Sequence, residues 1–347
     1  MKQIALFDDT AVQTAGPFPA LGVQGDITYV TTAARTALNN PAATGMGYWS
    51  VNPYIGCAFG CAYCYARYAH RYRADRAGIA DATTPAWLAF ERRIFVKRNV
   101  AEVLRTTLRH GGPRHRALVE GEWLVIGTAT DPYQPAERRY RLTRSIVSVL
   151  AEHPGMRVVI ITKSPLVTRD IDILARLTAR GALTVHLSLI TLDRELARRL
   201  EPRAPTPDAR VRAVERLAAA GIDVGVNIMP VLPGITDDPA ALDTLIARVA
   251  LTGASHVNAG SLRLRSDARQ RYLPFIENEF PHLAARYRAT YAAGHEPGER
   301  YRAGLRQVVG RLAAAHGIRF GRSGGVPDED PAEGGAPAAL WQLELPI

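Results

Sequence analysis

Short apolar segments alternate with amphipathic segments along the middle of this chain. Six apolar runs predict strands, and each is followed by a segment with apolar residues at helical spacing. The runs are Tyr48 to Val51, Trp123 to Ile126, Arg157 to Ile161, Leu183 to Leu189, Val224 to Met229 and Ser255 to Asn258. The clearest helices are predicted at Leu142 to Glu152 and Arg210 to Ala220. The pattern is typical of an α/β protein with a parallel sheet, in the form of a partial (β/α)6 barrel.

The alternation covers only part of the chain, so four segments are predicted. The first mixes Gly, Pro, Thr and Asn and is expected to be an extended N-terminal lead-in. The last is rich in Gly, Pro and acidic residues, which predicts a largely disordered acidic tail. The segments are 1–45 (lead-in), 46–265 (barrel core), 266–321 (C-terminal helical extension) and 322–347 (tail).

The helical extension contains two long stretches with helical composition. The first runs from Ala268 to Tyr291, and we expect Pro274 and Pro281 to break it, because proline lacks the N–H that a helix interior needs. The second runs from Glu299 to Ala315. No repeat of fixed period accompanies them.

The composition is that of an ordinary globular protein, with 47% hydrophobic and 22% charged residues in 347. The net charge of +10 permits a polyanionic partner such as DNA or RNA. Lysine occurs only at positions 2, 97 and 163, so a general preference for arginine explains the basicity equally well. No apolar stretch is long enough for a signal peptide or a membrane span, which predicts a cytoplasmic protein without a membrane partner.

The three cysteines of the chain lie within eight residues, at Cys57, Cys61 and Cys64. A tight, odd-numbered set is not a disulfide framework and indicates a reducing compartment. Three thiolates on one short loop can bind three irons of a [4Fe-4S] cluster and leave the fourth iron open, as a catalytic centre requires. The alternatives are a structural zinc site that uses His70 as the fourth ligand, and thiols with a purely structural role.

The motifs around these cysteines resemble the radical S-adenosylmethionine (SAM) superfamily, and within it the branch of spore photoproduct lyase and its uncharacterised relatives. The resemblance extends over about residues 45 to 265. It is carried by the strings VNPYIGC, CAYCYAR, FVKRNVAEVL, GTATDPYQPAE, ITKSPLVTRDIDIL and PVLPGITD.

This resemblance implies that a [4Fe-4S] cluster bound by the three cysteines holds SAM through its open iron. Reductive cleavage of SAM then supplies a 5′-deoxyadenosyl radical that abstracts hydrogen from a substrate. The chemistry needs an electron donor such as flavodoxin or ferredoxin. The lyase branch makes nucleic acid the first substrate to consider, with DNA repair as the corresponding activity. The alternatives are a radical SAM enzyme acting on a small molecule or a protein side chain, and a non-enzymatic iron-sulfur electron carrier or sensor.

Two tyrosines beside the cysteines and two residues at strand ends are candidate site residues. By the resemblance, Tyr63 contacts the adenine of SAM, and Tyr65 matches a tyrosine of the radical relay. Lys163 ends a predicted strand, where its ammonium can pair with the methionine carboxylate or face solvent. Ser188 places a hydroxyl in an apolar strand, where this hydroxyl forms a hydrogen bond either to the cofactor or to a backbone group.

Two threonines follow the second predicted strand. Thr130 matches a position whose hydroxyl contacts SAM, and Thr128 stands where the lyase keeps its hydrogen-donating cysteine. A threonine O–H bond is too strong to give its hydrogen readily to a carbon radical, which argues against the lyase route. Asn227 and Met229 line the barrel floor or belong to the core.

Three groups of arginines follow predicted strands. Two of the groups leave strands that end at the barrel mouth and can bind substrate phosphates, or else form a solvated surface. The groups are Arg67, Arg71, Arg73 and Arg76; Arg138, Arg139, Arg141 and Arg144; and Arg263, Arg265, Arg269 and Arg271.

Overall fold

A computed structural model describes residues 20–44, 47–69, 84–110 and 112–321 of the chain. The acidic tail, His70 and residues 1–19 of the lead-in lie outside these residues. The strands of the described part are β1 (Ala20–Gln24), β2 (Ile27–Thr32), β3 (Trp49–Val51), β4 (Tyr54–Ile55), β5 (Arg93–Lys97), β6 (Trp123–Ile126), β7 (Arg157–Thr162), β8 (Ala182–Ser188), β9 (Asp223–Val231), β10 (His256–Ser261) and β11 (Arg319–Phe320).

Helices follow most strands of the main sheet, as the alternation predicts. They are α1 (Pro41–Thr44), α2 (Ala86–Arg92), α3 (Val100–Arg109), α4 (Pro113–Val119), α5 (Ala136–Tyr140), α6 (Leu142–Leu150), α7 (Ile171–Thr178), α8 (Arg194–Leu200), α9 (Pro207–Ala219), α10 (Pro239–Ala250), α11 (Ser266–Glu279), α12 (Ala284–Thr290) and α13 (Glu299–Ala315), with 3₁₀ turns at Tyr65–Arg67, Pro165–Asp170 and Pro281–Leu283.

The main sheet has seven parallel strands in the spatial order β11-β10-β9-β8-β7-β6-β3. Six of them are the predicted strands, confirmed to within two residues at nearly every end. The fold class, a parallel α/β partial barrel, is therefore confirmed. The seventh strand, β11, was not predicted, because two residues are too few to carry an alternating pattern.

Side chains of the main sheet alternate between two faces. One face packs against the helices in the largest apolar core, to which β8 contributes Val185 and Leu187. The next residues along the same strand, Thr184, His186 and Ser188, are buried and polar. The inner face of the barrel is therefore polar at β8, while its outer face is apolar.

A second sheet has the order β1-β2-β5-β4. The loop that carries the three cysteines, residues 57–64, lies between strands β4 and β5 in the sequence. Residues 20–32 of the predicted lead-in form its β1-β2 hairpin around Gly25. Strand β4 leads directly into Gly56 and Cys57. The division of the chain into four segments remains a prediction.

One prediction about the C-terminal helices is wrong. Helix α11 continues through Pro274, whereas the chain does leave the helix before Pro281. A second apolar core contains Cys57, Cys61 and Tyr63 together with Tyr272, Phe275 and Ile276 of α11. This packing of α11 outweighs the hydrogen bond that Pro274 removes. The predicted helix from Glu299 to Ala315 is confirmed as α13.

Candidate active site

The cysteine loop, residues 57–64, is held by hydrogen bonds from three separate parts of the fold. The Cys57 N–H donates to the Phe90 carbonyl at 2.9 Å, and the Ala62 N–H donates to the Leu200 carbonyl at 2.9 Å. The Ala58 N–H donates to Oε1 of Gln134 at 2.9 Å. The backbone that presents the thiols is therefore ordered by contacts from distant parts of the sequence.

Gly56 immediately precedes the first cysteine and has a φ of +89°. Its carbonyl accepts hydrogen bonds from the Thr130 hydroxyl at 2.6 Å and from Nε2 of Gln134 at 3.1 Å. A Cβ at position 56 would lie 2.7 Å from the Phe90 carbonyl oxygen. Only glycine fits this backbone without displacing its neighbours. The Thr130 hydroxyl therefore supports the loop, and its contact with a cofactor remains a prediction.

We expect Gly56→Ala to destabilise the protein by about 2 to 3 kcal/mol more than Gly25→Ala, because both glycines have positive φ but only Gly56 lies against backbone atoms. Gly25 has a φ of +58°, and a Cβ at this position would meet no atom within 4 Å, so its replacement reports the conformational cost alone. Chemical denaturation of both variants measures the difference. Equal loss of stability would contradict the steric argument.

Two arginines hold the cysteine loop from outside. Arg67 is fully buried, donates to the Cys61 carbonyl at 2.8 Å and pairs with Glu91 at 2.5 Å. Nε of Arg203 donates to the Ala58 carbonyl at 2.6 Å. The hypothesis that Arg67 binds substrate phosphate is therefore wrong, because its guanidinium is enclosed by protein. Its predicted companions Arg71, Arg73 and Arg76 lie outside the described residues.

The other two arginine groups are partly engaged in ion pairs. Arg144 pairs with Asp170 at 3.0 Å and with Asp172 at 2.6 Å. Arg263 pairs with Glu296 at 2.5 Å and is half exposed. The remaining members differ in exposure: Arg138, Arg139, Arg141 and Arg265 are exposed, and Arg269 and Arg271 are intermediate.

Glu201 brings together two of the predicted site residues and was not itself predicted. Its buried carboxylate accepts a hydrogen bond from the Tyr63 hydroxyl and lies 3.8 Å from Nζ of Lys163. The Lys163 ammonium also lies 5.6 Å from the centre of the Tyr63 ring. The cysteine loop and the end of β7 therefore meet at one carboxylate.

Arg210 completes this cluster from helix α9. Its guanidinium forms an ion pair with Glu201 and donates to the Ser188 carbonyl at 3.1 Å. Ser188, the last residue of β8, is buried beside this group. The structure thus brings Tyr63, Lys163 and Ser188 together around a buried Glu201–Arg210 pair.

The side chains of Glu201, Lys163 and Arg210 stabilise one another in their charged forms. Burial alone raises the pKa of Glu201, but Arg210 and Lys163 outweigh it and hold this pKa below its ordinary value. Burial lowers the pKa of Lys163, but Glu201 outweighs it and the pKa is raised. Lys163 is therefore a cation at neutral pH. At 3.8 Å, its contact with Glu201 is too long for a hydrogen bond, so the ammonium keeps donors for a ligand anion.

Tyr65 and Thr128 form a separate contact on the other side of Cys64. The Tyr65 hydroxyl donates to the Thr128 carbonyl, and the Thr128 hydroxyl accepts from Nδ2 of Asn52 at 3.1 Å. Tyr65 is 45% exposed, whereas Tyr63 is 5% exposed. Two tyrosines that lie two residues apart therefore occupy different environments, and only Tyr65 is accessible to a substrate.

Asp131, in the segment after β6, binds the end of β7. Its carboxylate accepts hydrogen bonds from the Thr162 hydroxyl and from the Lys163 N–H, each at 2.7 Å. Neither contact is a local one along the chain. Asp131 therefore fixes the backbone from which the Lys163 side chain extends.

Asn227 lies on the inner face of β9, where it accepts a hydrogen bond from Asn258 at 3.0 Å. It pairs in register with Ser188 of β8 and with Asn258 of β10. The two asparagines are buried, and Met229 is half-buried. These residues line the barrel interior at the level of Ser188, and their role in binding remains a prediction.

The donor set suits an iron-sulfur cluster. Cys57 and Cys61 are buried and Cys64 is partly exposed, and all three thiols are free. Burial raises the pKa of Cys57 to about 12, so a bound metal would have to replace its proton. In the described part of the chain, no three His, Cys, Asp or Glu side chains converge on a single metal ion. The thiolates of a cubane cluster bind separate irons, so they need not converge in this way.

Comparison with known proteins identifies the family. The model of the Radical SAM superfamily matches residues 51–245 of the chain. This protein therefore belongs to the radical SAM superfamily and is an enzyme of that class. An uncharacterised protein of Mycobacterium tuberculosis is 35% identical over 308 residues, which cover 88% of this chain and 86% of the relative.

Two further proteins are similar to this chain in sequence or in fold. An uncharacterised protein of Methanocaldococcus jannaschii is 26% identical over 57% of this chain and 66% of its own length. A spore photoproduct lyase variant with bound AdoMet and dinucleoside spore photoproduct has a TM-score of 0.59, with 16% identity over 84% of this chain and 81% of that chain. At this identity the likeness shows a shared fold. Among the described residues, no helix is long and apolar enough to cross a membrane.

Sequence reasoning missed Glu201, Arg210 and Gln134 as site residues. Glu201 and Gln134 contact the cysteine loop from 138 and 76 residues away along the chain. The helix that contains Arg210 was predicted, but the burial of the Arg210 side chain was not. A charged residue at a predicted apolar helix face was the one available signal for Arg210.

Proposed function

We propose that this enzyme holds a [4Fe-4S] cluster through Cys57, Cys61 and Cys64 and uses it to cleave SAM reductively. When bound, the cluster supplies the electron and SAM supplies the 5′-deoxyadenosyl radical. The observation that carries the proposal is a loop with three free thiols that lies close to an ammonium: Nζ of Lys163 is 5.6 Å from the ring centre of Tyr63, between Cys61 and Cys64. A reducing compartment, the cytoplasm, suits such thiols.

The protein's own residues would orient the cofactor. Lys163 offers N–H donors to the methionine carboxylate, and Ser188 and Asn227 line the adjacent strand ends. Tyr63 closes the site between Cys61 and Cys64 with a ring whose hydroxyl is fixed by Glu201. The second apolar core contains Cys57, Cys61 and Tyr63, so protein rather than water surrounds much of the reaction centre.

We propose nucleic acid as the substrate class. Tyr65 exposes its ring beside Cys64, and Tyr48, Tyr68 and Arg263 lie near enough to influence the pKa of its hydroxyl. An exposed aromatic ring with a nearby guanidinium is what proteins use to stack an unpaired base, and Tyr65 is such a ring. The net charge of +10 favours a polyanion, and a flavodoxin or ferredoxin would serve as electron donor.

Anaerobic reconstitution tests both parts of this proposal. The reduced protein is expected to convert SAM to 5′-deoxyadenosine, and deuterium from a labelled oligonucleotide is expected to appear in that product. Binding of the oligonucleotide should weaken as salt increases. Deuterium transfer only from small molecules or peptides would reject the nucleic-acid substrate, and a cluster-loaded protein that leaves SAM intact would be an electron carrier or a sensor.

Lys163→Ala is expected to weaken SAM binding by about 1.5 to 3 kcal/mol, which is about 10- to 150-fold, while the iron content stays unchanged. The variant removes one charge-assisted contact and no thiol. Equilibrium dialysis of the cluster-loaded protein measures the affinity. Lys97→Ala serves as the control, because Lys97 is the last residue of β5 and donates to the Asn52 carbonyl. Unchanged affinity in Lys163→Ala would show that its ammonium does not bind the cofactor.

A further inference from the structure

We propose that Glu201 is the positioning residue of the cofactor site, holding Lys163 and Tyr63 in place through one buried carboxylate. The inference rests on the proposed function, since it concerns how tightly the protein binds SAM. Glu201 itself is enclosed and would not touch the cofactor. Its effect would pass through the two side chains that it contacts.

The geometry of the carboxylate supports this role. Its side chain has no exposed surface, and its oxygens meet the Tyr63 hydroxyl and the Arg210 guanidinium, with Lys163 at 3.8 Å. Tyr63 belongs to the cysteine loop, whereas Lys163 follows β7. One rigid group therefore sets the distance between the loop that would carry the cluster and the cation that would bind the cofactor carboxylate.

Backbone hydrogen bonds also connect the segment around Glu201 to the cysteine loop. The Leu200 carbonyl accepts from the Ala62 N–H at 2.9 Å, and the Arg203 N–H donates to the Phe59 carbonyl at 3.2 Å. The segment 200–203 is therefore bound to the cysteine loop on both sides of Glu201. Since backbone and side chain contact the same loop, Glu201 cannot shift independently of it.

Arg210 makes the charge of Glu201 necessary. Its guanidinium is buried and also donates to the Pro205 carbonyl at 2.9 Å and to the Ser188 carbonyl at 3.1 Å, so it cannot leave. Without a negative charge at Glu201, no anion would offset the repulsion between the Lys163 ammonium and this guanidinium. Repulsion between the two cations would then move the flexible lysine away from its position.

Glu201→Gln tests the proposal, because the amide keeps the volume and loses the charge. We expect the reconstituted variant to retain four irons per chain and to bind SAM about tenfold more weakly than the wild type. We also expect the change that SAM causes in the EPR spectrum of the reduced cluster to be smaller or altered in shape. Equilibrium dialysis and EPR measure these effects without reference to turnover.

Glu137→Gln is a matched control. Glu137 is likewise fully buried, accepts a hydrogen bond from a tyrosine hydroxyl, Tyr54 at 2.6 Å, and pairs with an arginine, Arg169 at 3.1 Å. Both variants should lower the thermal stability to a similar extent. Only Glu201→Gln should change the affinity for SAM and the EPR response.

Three results would overturn the proposal: wild-type affinity in Glu201→Gln, an equal loss of affinity in Glu137→Gln, or loss of irons that accounts for the weaker binding. If Glu201→Gln does not fold, Glu201→Asp is used, which keeps the charge and withdraws it by one methylene. Weaker binding with four irons is then expected, and wild-type affinity rejects the proposal. If the wild type itself binds no SAM, the proposed function fails. If the wild type binds SAM and the Glu201 variants bind it equally well, only the role of Glu201 is rejected.

Discussion

Cys57→Ala, Cys61→Ala and Cys64→Ala are each expected to abolish the iron-sulfur cluster, whereas the wild type should bind about four irons per chain after anaerobic reconstitution. The reason is the size of the ligand set: the chain contains three cysteines, and three thiolates are the minimum anchorage for an open-site cubane. Iron analysis and the visible charge-transfer absorption of each reconstituted protein measure the effect.

Ser188→Ala is the control for this experiment, because it removes a buried hydroxyl from the same site and no thiol. It should keep the wild-type iron content. One zinc per chain with no visible absorption in the wild type would reject the cluster and favour a zinc site. Retention of four irons in any of the cysteine variants would show that its thiol is not a ligand.

The second large effect concerns the reaction that this protein is not expected to perform. Reduced wild-type enzyme should fail to repair a spore photoproduct dinucleotide efficiently, even where the substrate binds. By the resemblance to the lyase branch, Thr128 is expected at the position of the hydrogen-donating cysteine. Its hydroxyl accepts a hydrogen bond from Asn52, and its carbonyl accepts one from Tyr65. Thymine dinucleotide released per 5′-deoxyadenosine formed is the quantity to measure.

Tyr65 and Tyr63 are the candidate donors in place of a thiol, and the structure separates them. The Tyr63 hydroxyl is buried against Glu201, whereas Tyr65 is accessible beside Thr128. Thr128→Cys is expected to increase repair if photoproduct reaches the site, because it restores a weak S–H bond there. Efficient multiple-turnover repair by the wild type would disprove the argument, and loss of that repair in Tyr65→Phe would then identify Tyr65 as the donor.

The cysteine loop shows how far local sequence carries a prediction. The spacing of Cys57, Cys61 and Cys64 identifies the thiols and their common loop without a structure, since it is a property of neighbouring residues. The same local reasoning treated Arg67 as a surface residue. Its burial depends on Glu91 and on the Trp87 carbonyl, 24 and 20 residues further along the chain, and no pattern of nearby residues contains that information.

The lead-in illustrates the limit for strands. Strands β1 and β2 are short, and the hairpin gains its stability by adding β5, which lies about 60 residues further along the chain. A two-stranded hairpin alone is marginal in water, so its own sequence need not carry a strong signal. The six strands of the barrel are different, because burial on the helix-covered face requires apolar residues within each strand.

By itself, the sequence determined the class of fold, the three thiols and the strand ends at which Lys163 and Ser188 stand, because these follow from hydrophobic period and short spacing. Only the tertiary structure decided that Glu201 and Arg210 join those residues, that Gly56 and Thr130 support the loop, and that Tyr63 is enclosed while Tyr65 is open. The physical reason is that buried charges and hydrogen bonds are satisfied by partners from distant parts of the chain, which only the fold brings within bonding distance.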